Sequence, residues 1–225
     1  MNYALRVMLI LVAVFGQAVG VASFPFMARL AAENRFDEMN RLMNTALRHL
    51  ALVIPFSVLL MVLRHETVLI LFQRGRFDAA ATEMTAQVLL YMMAGAFAFA
   101  AQTVVVRGYY ATQNTLLPAL YGTICVLASI PLYYLGLRLM GITGVALAMS
   151  ASAALQVILL YVMWNRRSAN FESRGVYRFF GQVAAGSLLL GGGLEWFHST
   201  ILSTLDRTTF TGCMASALAT GLVFA

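Results

Sequence analysis

The sequence predicts an all-α, polytopic membrane protein of about seven transmembrane helices, and three observations carry that prediction. Of 225 residues, 61% are hydrophobic and only 11% are charged, with a mean hydropathy of +0.80, whereas about a quarter of the residues in a soluble domain are charged. Apolar stretches recur along the whole length, leaving no room between them for a soluble domain of useful size. All 15 basic residues are arginines, in a chain of net charge +6. They stand singly or in small groups around apolar runs, a pattern that suits membrane topology and excludes nucleic acid as a partner.

The first apolar stretch, residues 7–28, is uncharged and lies between Arg6 and Arg29. At about 1.5 Å per residue it makes a helix of about 33 Å, enough to cross a hydrocarbon core of about 30 Å. Gly16, Gln17, Gly20 and Ser23 give this helix a face that lipid does not favour. Gly16 and Gly20 have the spacing of a close helix contact, and Gln17 suits either a bound substrate or a neighbouring helix. Arg6 stands where that face meets water. A guanidinium there can hold a phosphate by bidentate hydrogen bonds, or pair with a lipid headgroup. No cleavage site follows the first helix, so it does not read as a removable leader.

Residues 29–41 read as a polar connection and residues 43–63 as a second span, with Arg48 and His49 near its start and Pro55 kinking its middle. Residues 67–72 are too short to cross and predict an interfacial half-turn or short helix. Residues 73–78 form a turn with Gly75 at positive φ and Asp78 as N-cap. Arg74 and Arg76 around Gly75 make a candidate anion-binding turn, or a plain solvated one. A third span covers residues 84–106, where small residues from Ala94 to Ala101 favour close packing. A turn is expected at 107–118, with Arg107, Tyr109 and Tyr110 anchoring a helix end at the interface.

A fourth span covers residues 117–137 and holds Pro131; a tight connection at Arg138 and Gly141 leads to a fifth at 142–164, ended by Trp164 as interfacial anchor. Pro25, Pro55 and Pro131 are the hinge candidates. After the polar residues 165–178 come a sixth span at 179–194 and a seventh from about residue 208. The chain stops at Phe224-Ala225 inside an apolar run, which predicts truncation at the C-terminus. Alternate loops carry Arg29, Arg35, Arg41 and Arg48, then Arg107, then Arg166, Arg167, Arg174 and Arg178; the opposite loops carry Arg64, Arg74 and Arg76, then Arg138, then Arg207. That imbalance puts the first set in the cytoplasm and Arg6 on the outer side.

Little in the sequence points to catalysis. Cys125 and Cys213 lie in apolar runs as buried thiols. His49, His65 and His198 are scattered, without metalloprotease, hydrolase or metal-ligand spacing, so neither an enzyme, a cofactor nor a metal is expected. Asp78, Glu83, Glu195 and Asp206 are the possible ion-coupling carboxylates. All fall near span ends, and none reads as a buried acid.

Three stretches carry a family resemblance. Tyr3-Ala4-Leu5-Arg6 with Phe15-Gly16 and Phe24-Pro25 resembles the eighth helix of the MurJ/MviN family of lipid II flippases, in the multidrug/oligosaccharidyl-lipid/polysaccharide exporter superfamily. Residues 71–78 resemble that family's F-x-x-G-x-F turn, and residues 107–118 its F-Y-A-x-x-D-T-x-x-P turn. Departures are Leu9-Ile10-Leu11, where the family commonly has a polar residue and proline, and Asn114, where it has aspartate.

The resemblance implies that residues 1–165 correspond to helices eight to twelve and residues 166–225 to the last two helices, proposed to form a lipid-tail groove, with helices one to seven absent. It further implies a multi-pass protein of the bacterial inner (plasma) membrane that moves undecaprenyl-diphosphate-linked peptidoglycan precursor, lipid II, by alternating access. Cell-wall synthesis and cell shape would depend on it, with membrane lipids and the missing N-terminal half as further partners. Arg6 matches a cavity arginine that faces the substrate. The alternatives are a flippase of another polyprenyl-linked oligosaccharide, a drug exporter of the same superfamily, or a fragment that does not transport.

Overall fold

A computed structural model describes residues 1–73, 77–200 and 210–224, except for the side chains of residues 200, 210 and 211. The anion-binding turn expected at Arg74, Gly75 and Arg76 lies outside the described residues, as do Asp206 and Arg207. Among the described residues the chain is helical, with no strand. We number the helices α1 (Asn2–Ala32), α2 (Phe36–Val62), α3 (Arg64–Phe72), α4 (Ala79–Ala111), α5 (Leu116–Ser168), α6 (Ser173–Thr200) and α7 (Phe210–Phe224).

The polar connection expected at 29–41 is much shorter than predicted. Helix α1 continues to Ala32 and α2 begins at Phe36, with Asn34 at φ 57° in the intervening turn. Met39, Met43, Leu47 and Leu50 recur on one buried face, so the charged residues between them are simply the outer face of a helix. Asp37 and Glu38 in its first turn also suit the positive end of the helix dipole. A 3₁₀ turn at Leu50–Leu52 interrupts α2 ahead of Pro55. Proline has no N–H for the carbonyl of Ala51, which accounts for the altered turn at that point.

Helix α3 is the short helix expected after the second span. Asp78 caps α4, its Oδ1 accepting from Ala81 N at 2.8 Å. The turn predicted to begin at Arg107 instead starts at Thr112, because tertiary packing carries α4 through Arg107, Tyr109 and Tyr110. Gly108 lies against the Met43 methyl, while buried Tyr109 donates to Leu160 O at 2.9 Å and stacks edge-on against Trp164. Asn114 Oδ1 accepts from Leu117 N at 3.2 Å and so satisfies a free amide at the start of α5.

At 53 residues α5 would be about 80 Å long if straight. It is not straight: Gly141 adopts φ 63°, ψ −137° and divides it into arms at 116–140 and 142–168. A Cβ on Gly136 would lie 2.5 Å from Gly144 O, although residues eight apart in one helix are about 12 Å apart. The arms therefore fold back on each other, giving the fourth and fifth spans with a tight turn between them. Pro25 and Pro131 lie within α1 and α5, respectively.

Four helices are long and apolar enough to cross a membrane, α1, α2, α4 and α5, and the two arms of α5 raise the crossings to five. Helix α6 has the length but carries Arg174, Arg178, Glu195 and His198; the apolar part of α7, Gly212–Phe224, is shorter than one crossing.

Helix α4 is the central post, packed against α1, α2, α3 and α5. Its small residues permit this: a Cβ on Gly95 would lie 2.7 Å from Ser150 Cα in the second arm of α5, where Ser150 also donates to Tyr91 O at 2.7 Å. A buried polar network ties α2 to the second arm of α5. Trp164 Nε1 donates to Asn40 Oδ1, Tyr161 donates to Asn44 Oδ1, and the Asn44 and Asn170 amides bond reciprocally at 3.0 Å. Helix α6 packs on α2, and α7 on α3 and α6.

Candidate functional site

The candidate site is a cleft between α1 and α4, created by a fault in α1. Residues Ala13–Gln17 form a π turn, a wider turn that re-aims the side chains beyond it. At its end Gly16 rests on α4, where a Cβ would come within 2.9 Å of Ala100 Cα. Thr103 Oγ1 lies 2.9 Å from Gly16 O and 2.8 Å from Ala100 O, so its proton bonds one carbonyl or the other. The Gly16/Gly20 spacing is thus the helix contact its pattern predicts.

One turn further, Gly20 leaves room for the guanidinium of Arg107; a Cβ there would collide with Arg107 Nη1. Arg107 lies back along α4 and its Nη2 donates to Gln17 Oε1 at 2.6 Å, while Nη1 lies 3.5 Å from Thr103 O. Among the described residues it has no acidic partner. This corrects the expectation of a helix-end anchor: the side chain turns inward along the cleft because a glycine notch and an amide receive it.

The cleft has a volume of about 390 Å³ at Leu9, Gln17, Gln102, Thr103, Arg107 and Tyr110. A second cavity of about 490 Å³ continues it between Phe24, Ala28, Phe36 and Gln113, with Tyr110 lining both. Arg6 is exposed. It lies one turn before Leu9, on the same side of α1. Eleven positions separate Arg6 from Gln17, about 16 Å along the axis, so the two are not in contact but stand at different depths of one face.

A second constellation was missed in the sequence. Glu66 is 1% exposed and its Oε1 lies 2.9 Å from His198 Nε2, which is also buried. Glu66 Oε2 has no hydrogen-bond partner among the described residues. Glu66 is not among the acids weighed in the sequence; it becomes buried because α6 folds back against α3 and α2 and brings His198 to it. Of the remaining acids, Glu83 lies 4.0 Å from His65 and Glu195 3.6 Å from Arg64, both exposed. Cys125 and Cys213 are buried. No group of three or more histidine, cysteine or carboxylate ligands forms among the described residues.

The sequence profile of the lipid II flippase MurJ family matches residues 1–212. The chain belongs to that family. It is 28% identical over 215 residues to a protein named probable lipid II flippase MurJ from Vibrio cholerae, covering 92% of this chain and 41% of that one. A lipid II flippase MurJ from Burkholderia cenocepacia is 26% identical over 196 residues, covering 87% and 38%. The chain thus spans about two fifths of these MurJ relatives. A solved lipid II flippase MurJ in an inward closed conformation superposes with a TM-score of 0.73 at 22% identity, over 99% of this chain and 45% of that one.

Proposed function

We propose that this chain forms the C-terminal part of a lipid II flippase of the bacterial inner membrane. There it moves undecaprenyl-diphosphate-linked peptidoglycan precursor to the outer leaflet by alternating access. The family match over residues 1–212 carries this reading. The cleft of α1 and α4 supports it chemically: Arg6 and Gln17 present a cation and an amide on one helix face, groups suited to a diphosphate and its sugars. In this reading the polyprenyl tail lies along α6 and α7, where Leu188, Leu189 and Leu222 are exposed.

A chimera tests the proposal. This chain replaces the matched part of the Vibrio cholerae relative and is expressed in bacteria depleted of their own lipid II flippase, with Arg6→Ala beside it at equal membrane levels. Growth with the parent and lysis with Arg6→Ala are expected. Failure of a well-inserted parent chimera counts against lipid II as the cargo, and growth with both removes Arg6 from the mechanism.

A further inference from the structure

Among the described residues, Arg107 is a charge without a counter-charge. It is partly buried, has no acidic partner among the described residues, and its hydrogen bonds there end on neutral oxygens of Gln17 and Thr103. A guanidinium has five donors arranged to grip an oxyanion with two bonds at once, and it bonds an anion about twice as strongly as a neutral amide. Arg107 is thus held by a weaker partner than it can take. Its surroundings are also shaped for it. Gly20 clears its path, and the π turn of α1 ends on Gln17, its hydrogen-bond acceptor.

Position adds the second argument. Tyr110, three residues from Arg107 in the sequence, lines both cavities of the cleft, and Arg107 lines the one that reaches Leu9. A group travelling along the cleft from the end at Phe36 and Gln113 passes Arg107 before it reaches the level of Arg6. We propose that Arg107 is a second anion-binding residue of the cleft, and that Gln17 is its resting partner, displaced when a phosphate group arrives. This rests on the flippase reading and deepens it: the diphosphate of a polyprenyl-linked substrate is held first at Arg107 and then, about three helical turns along α1, at Arg6. The phosphate of an ordinary phospholipid headgroup offers the same chemistry, so the test separates the two.

The full chain in detergent is titrated with undecaprenyl diphosphate, undecaprenol and phosphatidylglycerol, with bound lipid read by native mass spectrometry and folding by melting temperature. The expected result is a preference for undecaprenyl diphosphate that Arg107→Gln weakens about tenfold, with undecaprenol binding unchanged. Arg107→Lys restores part of the loss, and Gln17→Leu, by removing the competitor, tightens diphosphate binding about threefold.

A parent chain that binds undecaprenyl diphosphate no better than undecaprenol overturns the flippase reading and this inference together. A preference that survives Arg107→Gln overturns the inference alone and leaves Arg6 as the diphosphate ligand. Equal loss of diphosphate and undecaprenol makes Arg107 structural and overturns it too. Phosphatidylglycerol binding as tightly, and failing equally in Arg107→Gln, overturns the substrate assignment in favour of a headgroup site. Weakening by Gln17→Leu overturns the displaced-partner role.

Discussion

The carboxyl of Glu66 feels opposing influences. Burial pushes its pKa up, but the hydrogen bond from His198, its own backbone amide and the charges of His198 and His65 together outweigh burial and hold it below the ordinary value. An acid depressed on folding stabilises the fold above its ordinary pKa, and that contribution disappears as pH falls through the lowered value. Melting of the purified chain is therefore expected to be flat between neutral pH and about 5, and to fall at lower pH. Glu66→Ala, which removes one side of this buried hydrogen-bonded pair, should cost about 3 kcal/mol at neutral pH. Glu66→Gln keeps a hydrogen bond, costs less, and should flatten the acid limb; an acid limb as steep as the parent's would show that other groups produce it. Nothing local announces this residue. Arg64-His65-Glu66 reads as a charged span end, and only the approach of His198, 132 positions away, turns it into a buried pair.

At the level of helices, the same substitution should have opposite signs at two glycines. Gly141 stands at φ 63°, ψ −137° with nothing within 4 Å of a Cβ added there, so Gly141→Ala isolates backbone strain. A cost of about 1–3 kcal/mol is expected. Gly192 lies within α6 with equally open surroundings, and Gly192→Ala should stabilise by up to about 1 kcal/mol through helix propensity. Denaturation in graded detergent mixtures reads both; a neutral Gly141→Ala would mean that the turn is not where the arms are set. The arms themselves were legible from apolar run lengths, and the Asp78 cap from its place before an alanine-rich start. The continuation of α4 through Arg107 was not. Local polarity marks Arg107-Gly108-Tyr109-Tyr110 as a turn, and the residues that overrule it, Met43, Leu160 and Trp164, come from two other helices.

The whole molecule has two ends, and the arginines divide between them. Bonds from Asn40 to Ser168 and the cavity shared by Phe36, Thr112 and Ala169 bring the connections after α1, α4 and α5 to one end. Ring contacts of Tyr3 with Phe72 and Phe77 place the N-terminus at the other, beside the junction of α3 and α4. The connections after α1, α4 and α5, one of the two loop groups sorted by alternation in the sequence, are therefore grouped in space as well. The first end carries most of the arginines, and by the positive-inside rule it is expected to face the cytoplasm. That orientation puts Arg107 on the cytoplasmic side of Gln17 and Arg6 toward the outer leaflet, the order an exported diphosphate would meet them. Single cysteines decide it, in a Cys125→Ala, Cys213→Ala background. Asn34→Cys, Gln113→Cys and Ala169→Cys should resist a membrane-impermeant maleimide in right-side-out vesicles and react after permeabilisation, while Leu139→Cys, on the exposed shoulder of the Gly141 turn, reacts in both. The reverse pattern would invert the cleft, making Arg6 the first arginine met from the cytoplasm and Arg107 the last.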